Sequence, residues 1–163
     1  MVKKYILLLC VTLSLMASCQ SNEEQLKEEA SIQNLVSSKY GITLETEEEK
    51  YETSNSEIIV NIQNESDIPL TFGEEFAIEK NIDGTWYVVP FKEGMDLFDA
   101  VGKSLEPKSS TTQTLSLDRL ENSLIPGEYR LVKNFYDPSD YFFDKKEKKL
   151  GGGTLAAPFE VTN

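Results

Sequence analysis

Apolar residues recur at every second position in a series of short stretches of this chain, and polar clusters rich in turn-forming residues separate them. Ile42 to Thr46 puts Ile42 and Leu44 on one face, and Glu57 to Gln63 does the same with Ile58, Val60 and Ile62. Phe76, Ile78 and Ile82 stay in phase over the next extended region, after Leu70 to Phe72. Thr85 to Phe91, Ser109 to Leu117 and Thr154 to Val161 continue the pattern. The longest run is Pro126 to Tyr136, in which Tyr129, Leu131 and Phe135 share one face and Arg130, Asn134 and Tyr136 the other. A period of two is that of a half-buried strand, since successive side chains leave opposite faces of a sheet.

The breaks between these runs carry their own signals. Asp83-Gly84 tolerates the positive φ of a two-residue hairpin, and Asn64 to Asp67 is a turn cluster closed by Pro69. Gly73 interrupts an extended region, which predicts a bulge or bend, and Pro90 marks a strand end or an edge. Residues 47–56 read as a polar connection. Residues 92–107 are the least regular part; Leu97, Phe98 and Val101, on a single helical turn, are expected to plug one end of the domain. About seven short strands at intervals near ten residues predict an all-β antiparallel sandwich, not an alternation of strand and helix.

The first residues fall outside this pattern. Lys3 and Lys4 precede an apolar run from Tyr5 to Leu15, and small residues Ala17 and Ser18 precede Cys19. A basic start, a short apolar run and a small-residue cleavage site describe a secretory signal, too short to remain as a spanning helix. Leu15 to Cys19 resembles a bacterial lipobox, which implies cleavage before Cys19 and lipid on its sulfur and new amino terminus. Residues 1–18 are thus expected to be a signal peptide and residues 19–39 a flexible, lipid-anchored tether spanning about 25 Å. Residues 40–163 form the folded domain. The protein is then expected on the outer face of a bacterial cell membrane.

Charge narrows the partners. The chain carries 28 acidic against 16 basic residues, a net of −12, and loss of Lys3 and Lys4 with a leader makes it more negative. Nucleic acid and anionic lipid surfaces attract the opposite sign, so neither is an expected partner. Histidine is absent, which removes the commonest general base and transition-metal ligand together. Of the two cysteines, Cys10 is lost with the leader and Cys19 is the lipidated one, so no disulfide is expected in the domain and its core must hold it alone.

Four segments together, residues 42–66, 76–91, 126–136 and 152–161, resemble the bacterial immunoglobulin-like domain of exported lipoproteins. The pairing of Asn81-Ile82-Asp83-Gly84-Thr85-Trp86-Tyr87 with the Pro126 to Lys133 run carries most of the likeness. The resemblance implies a β-sandwich in the cell envelope, with no catalytic residues and no cofactor. In immunoglobulin-type sandwiches a tyrosine near the start of strand F bonds back to the preceding turn, and a disulfide cysteine follows two residues later. Tyr129 fits the tyrosine, and Leu131 stands in the cysteine's place. Trp86 comes one strand too late for the tryptophan of such domains, so Phe76 or Ile78 is expected at the core centre.

Candidate sites are few. Tyr141, Phe142 and Phe143 lie between the last two strands, where variable-type domains carry a binding loop. Three consecutive aromatics cannot all face inward, so they either present interface anchors or cap the open end of the sandwich. Asp137, Asp140 and Asp144, with Asp96 and Asp99, lack the spacing and glycine of a calcium loop, and no metal is expected. Lys145, Lys146, Lys148 and Lys149 are too few for nucleic acid, and Gly151 to Gly153 lacks the sequence of a phosphate loop. Trp86 and Tyr87 are expected as one core and one surface residue. Two functions follow from this reading. One is a non-catalytic, lipid-anchored binding or accessory module for an envelope protein; the other is a sensing or inhibitory lipoprotein that captures a small envelope ligand. An apolar pocket beside residues 92–107 or the Phe142 loop favours the second, and a filled core with flat sheet faces the first.

Overall fold

The computed structural model describes residues 26–136 and 153–163. Among them are eleven strands in two sheets, and no α-helix. The smaller sheet has the order β1 (Ser38–Lys39), β2 (Ile42–Thr46), β4 (Glu57–Asn64), β9 (Ser109–Ser116). The larger is built on β10 (Gly127–Tyr136), flanked on one side by β11 (Gly153–Thr162) and then β3 (Lys50–Glu52). On its other side β10 pairs with two successive strands, β6 (Ala77–Ile82) and β5 (Leu70–Phe72), which carry β7 (Thr85–Val88) and β8 (Lys103–Leu105) at the two ends.

The sandwich core follows the period-two faces. Leu44, Ile58, Val60 and Ile62 of the small sheet, and Ile78, Leu131 and Ala157 of the large one, are wholly buried. Ile78 and Phe76 are both buried in the same apolar cluster as Leu131, the residue read in the cysteine's place. The Tyr129 hydroxyl donates to the Ile125 carbonyl at 2.7 Å, and its ring stacks on Phe159. This is the tyrosine corner expected at the start of β10. Asp83 and Gly84, at φ 52° and 87°, close the β6–β7 hairpin between Ile82 and Thr85.

Several expectations are corrected. The polar connection over residues 47–56 contains β3, which pairs in parallel with β11 and buries Tyr51 edge-on against Phe159. The sandwich is therefore antiparallel apart from this one pair among the described residues. Strand β8 pairs with β5 in the large sheet, which leaves β9 as the edge of the small one. Residues 92–102 form turns without a helix; Phe98 packs inward, while Leu97 and Val101 stand 75% and 65% exposed.

The segment read as a tether differs most. Residues 28–33 lie along β7 and across the outer face of the large sheet. Val88 N–H donates to the Glu28 carbonyl and Ala30 N–H to the Trp86 carbonyl, at 2.8 and 2.9 Å. The Gln33 side chain bonds both backbone groups of Trp86. Beneath this strap Arg130 is 3% exposed, although the strand pattern puts it on the outward face. Its guanidinium donates to the Glu79 carboxylate and to the Ile32 and Gln33 carbonyls, and lies 4.4 Å from the Trp86 ring centre. Two charges leave water here because each of the three guanidinium nitrogens finds an acceptor. Trp86 and Tyr87 are both half-buried, so neither is a core residue nor an open surface one.

Candidate functional site

Where β5 hands over to β6, four residues, 73–76, face only two on β10. The registers fix this, since Phe135 pairs with Phe72 and Val132 with Ala77. The bend expected at Gly73 is this bulge, and it turns backbone carbonyls toward the sandwich interior. Lys133 answers them. Its ammonium donates to the Gly73 and Glu75 carbonyls at 3.1 and 2.8 Å, and lies 5.9 Å from the Phe72 ring centre. Lys133 is 1% exposed, and burial lowers its pKa from 10.5 to about 8, partly offset by the nearby Glu75 carboxylate. Sequence reasoning passed over this residue, although it shares the inward phase of Tyr129, Leu131 and Phe135.

Gly73 also gives room to Glu75. A Cβ at position 73 would fall within 1.8 Å of the Glu75 carboxylate, so that carboxylate folds back over the glycine on the outside of the bulge. Across from it, Asp96 to Gly102 forms a wall whose geometry is set from behind. Phe98 makes edge contacts with Phe76 and Phe91, at ring separations of 5.6 and 5.8 Å. Arg119 stacks on Phe98 at 4.2 Å and donates to the Met95 and Leu97 carbonyls. With Phe98 drawn inward, the neighbouring Leu97 side chain is turned outward by the alternation of an extended chain.

Bulge and wall enclose an open groove of about 500 Å³. Thr71, Gly73 and Glu75 line one side, Asp96, Leu97 and Val101 the wall, and Tyr136 the end where β10 finishes. A smaller hollow of about 230 Å³ lies under the tyrosine corner between Leu26, Lys80, Val89 and Leu124. Asp96 and Asp99 line this groove together with its aliphatic residues. The expected lipidation residue Cys19 and the expected binding loop Tyr141, Phe142 and Phe143 lie outside the described residues. So do Asp137, Asp140, Asp144 and the lysines from Lys145 to Lys149.

Comparison with known proteins gives the architecture its family. No curated protein matches the sequence. Among solved structures the chain is similar to the E. coli chaperone DraB, at 10% identity over 75% of this chain, with a TM-score of 0.49. The match takes in 55% of that chaperone, so the chain spans about half its length. It is also similar to a CARDB domain from Pyrococcus furiosus, solved in complex with di-metal ions, at 17% identity over 83% of this chain and all of that one, with a TM-score of 0.34. The bacterial Ig-like domain profile matches residues 38–151, from β1 onward, and leaves the strap of residues 28–33 outside it. With its match covering more than half the chain, and two sheets and a tyrosine corner beneath it, the chain belongs to the bacterial Ig-like domain family.

Proposed function

We propose that this protein is a non-catalytic binding module of the bacterial envelope, exported and held to the outer face of the cell membrane by lipid on Cys19. The groove beside Gly73 is its contact surface for another envelope protein. The observation that carries the reading is the fixed outward display of Leu97 and Val101 on a wall braced by Phe98 and Arg119. Large aliphatic side chains held in water by a rigid backbone are a cost to an isolated domain and an asset to one that docks. A lipobox product carries more than one acyl chain, which is what stable anchoring requires.

Intact mass and membrane fractionation of wild type beside Cys19→Ala test the anchor. Diacylglyceryl mass and loss of membrane association in the variant are expected; two equally soluble proteins would refute the anchor. A photo-crosslinking residue at position 97, compared with one at the exposed position 45 on the opposite sheet, tests the surface. Adducts to an envelope protein at 97 alone are expected.

A second reading, small-ligand capture, draws on the groove's position beside residues 92–107, the place where a pocket favours it on sequence grounds, and on its volume. About 500 Å³ falls in the range of roughly 300–1,000 Å³ typical of small-molecule sites. Capture of an envelope small molecule would raise the melting temperature with that molecule present and yield no protein adduct at 97.

A further inference from the structure

We infer that the groove takes an extended basic segment of its partner protein, carrying both cationic and apolar side chains; this rests on the binding-module reading above. The wall carries both charge and aliphatic surface. Asp96 and Asp99 are interspersed with Leu97, Ala100 and Val101 along the groove, while Phe98 is also turned back into the domain. Glu75 adds a third carboxylate on the facing side, where Gly73 leaves it room.

Among the described residues no lysine or arginine lines the groove. The described basic residues around it are already engaged. Lys103 pairs with Glu74 at 3.0 Å, Arg119 serves the carbonyls behind the wall, and Lys133 is sealed beneath the bulge on the Gly73 and Glu75 carbonyls. The groove thus presents negative charge together with aliphatic surface, on a chain whose net charge is −12. Such a surface attracts cationic partners from a distance and repels acidic ones, and its apolar strip then holds side chains of matching spacing. A small inorganic cation would use the carboxylates and leave Leu97 and Val101 in water. A segment with side chains alternating across an extended backbone uses both.

The test is fluorescence anisotropy of two labelled short peptides with the full chain, one alternating lysine with leucine and one alternating glutamate with leucine. The lysine peptide is expected to bind, more weakly as salt rises, and the glutamate peptide not to bind. Asp96→Asn with Asp99→Asn should weaken the lysine peptide about tenfold, two rim charges of about half that effect each on a free-energy scale. Leu97→Ser with Val101→Ser should weaken it comparably, and both double variants should keep the wild-type melting temperature because the altered side chains are exposed. Equal binding of both peptides, or unchanged binding by the aspartate variant, would overturn the inference. Saturation of the groove by a second copy of the chain, seen as dimerisation that Leu97→Ser abolishes, would overturn it too. The two readings fail separately: an adduct at position 97 alongside charge-blind peptide binding keeps the module and removes the basic segment. Charge-dependent peptide binding by a chain that carries no lipid keeps the basic segment and removes the anchor.

Discussion

Arg130 and Glu79 sit directly opposite each other on β10 and β6, and their side chains meet at 2.5 Å with only 4% and 8% of their surfaces exposed. Both point away from the sandwich core. They are buried because residues 28–33 fold over them, and Arg130 in turn holds that strap through the Ile32 and Gln33 carbonyls.

Removing Arg130 leaves a buried carboxylate without its partner and the strap without its clamp. Arg130→Ala should cost about 3–5 kcal/mol in chemical denaturation. Replacing both members with apolar residues should recover much of that loss. Amide exchange supplies the specific signature: the Ala30 and Val88 N–H groups, which bond across strap and β7, should exchange faster in Arg130→Ala while the Leu131 amide is affected only through global stability.

The corner bond is a smaller and cleaner case. Tyr129→Phe removes the donor to the Ile125 carbonyl and keeps the ring against Phe159. A loss of about 1 kcal/mol is expected, with the denaturant dependence unchanged, because no core volume is lost.

Lys133 makes stability depend on pH in a direction opposite to that of an ion-paired lysine such as Lys50, whose pKa the Glu160 carboxylate raises. Its folded pKa of about 8 lies below the ordinary 10.5, so between these values the unfolded chain binds more protons than the folded one. Stability from this group therefore rises with pH across that window. Below it both states are protonated and the burial cost stands in full, up to about 3 kcal/mol. The difference in unfolding free energy between wild type and Lys133→Met, followed from pH 7 to 10.5, should shift in favour of the wild type by that order; a flat difference would show that the lysine is not desolvated.

The wall of the groove makes a paired prediction. Phe98→Ala removes the contacts with Phe76, Phe91 and Arg119 and should cost about 1–3 kcal/mol, with faster proteolysis between residues 92 and 102. Leu97→Ala, at a position 75% exposed, should stay within about 0.5 kcal/mol of wild type. Equal losses at both positions would mean that Leu97 is covered.

Much of the sandwich was legible in the order of residues because strand faces are a local property. The alternation through Ile58, Val60 and Ile62, the turn at Asp83-Gly84 and the tyrosine before Leu131 each depend on a few neighbouring residues, and each appears in the structure as read. Lys133 shares the same alternation but was passed over, because a lysine facing inward makes sense only once the β5–β6 bulge supplies carbonyls from residues 58 and 60 positions away. Arg130 was read as outward, and it is, but its burial comes from a strap 97 residues upstream. The strap itself has too thin an apolar stripe to announce structure. It is held by backbone hydrogen bonds to an edge strand, which any sequence can make. Likewise Leu97, Phe98 and Val101 look alike in a list of apolar residues, and only the positions of Phe76, Phe91 and Arg119 decide which one turns in. Local periodicity and turn chemistry thus determined most of the strands and their faces. Long-range contacts, whose partners lie far apart in the chain, alone decided what covers the sheet and where a groove is left open.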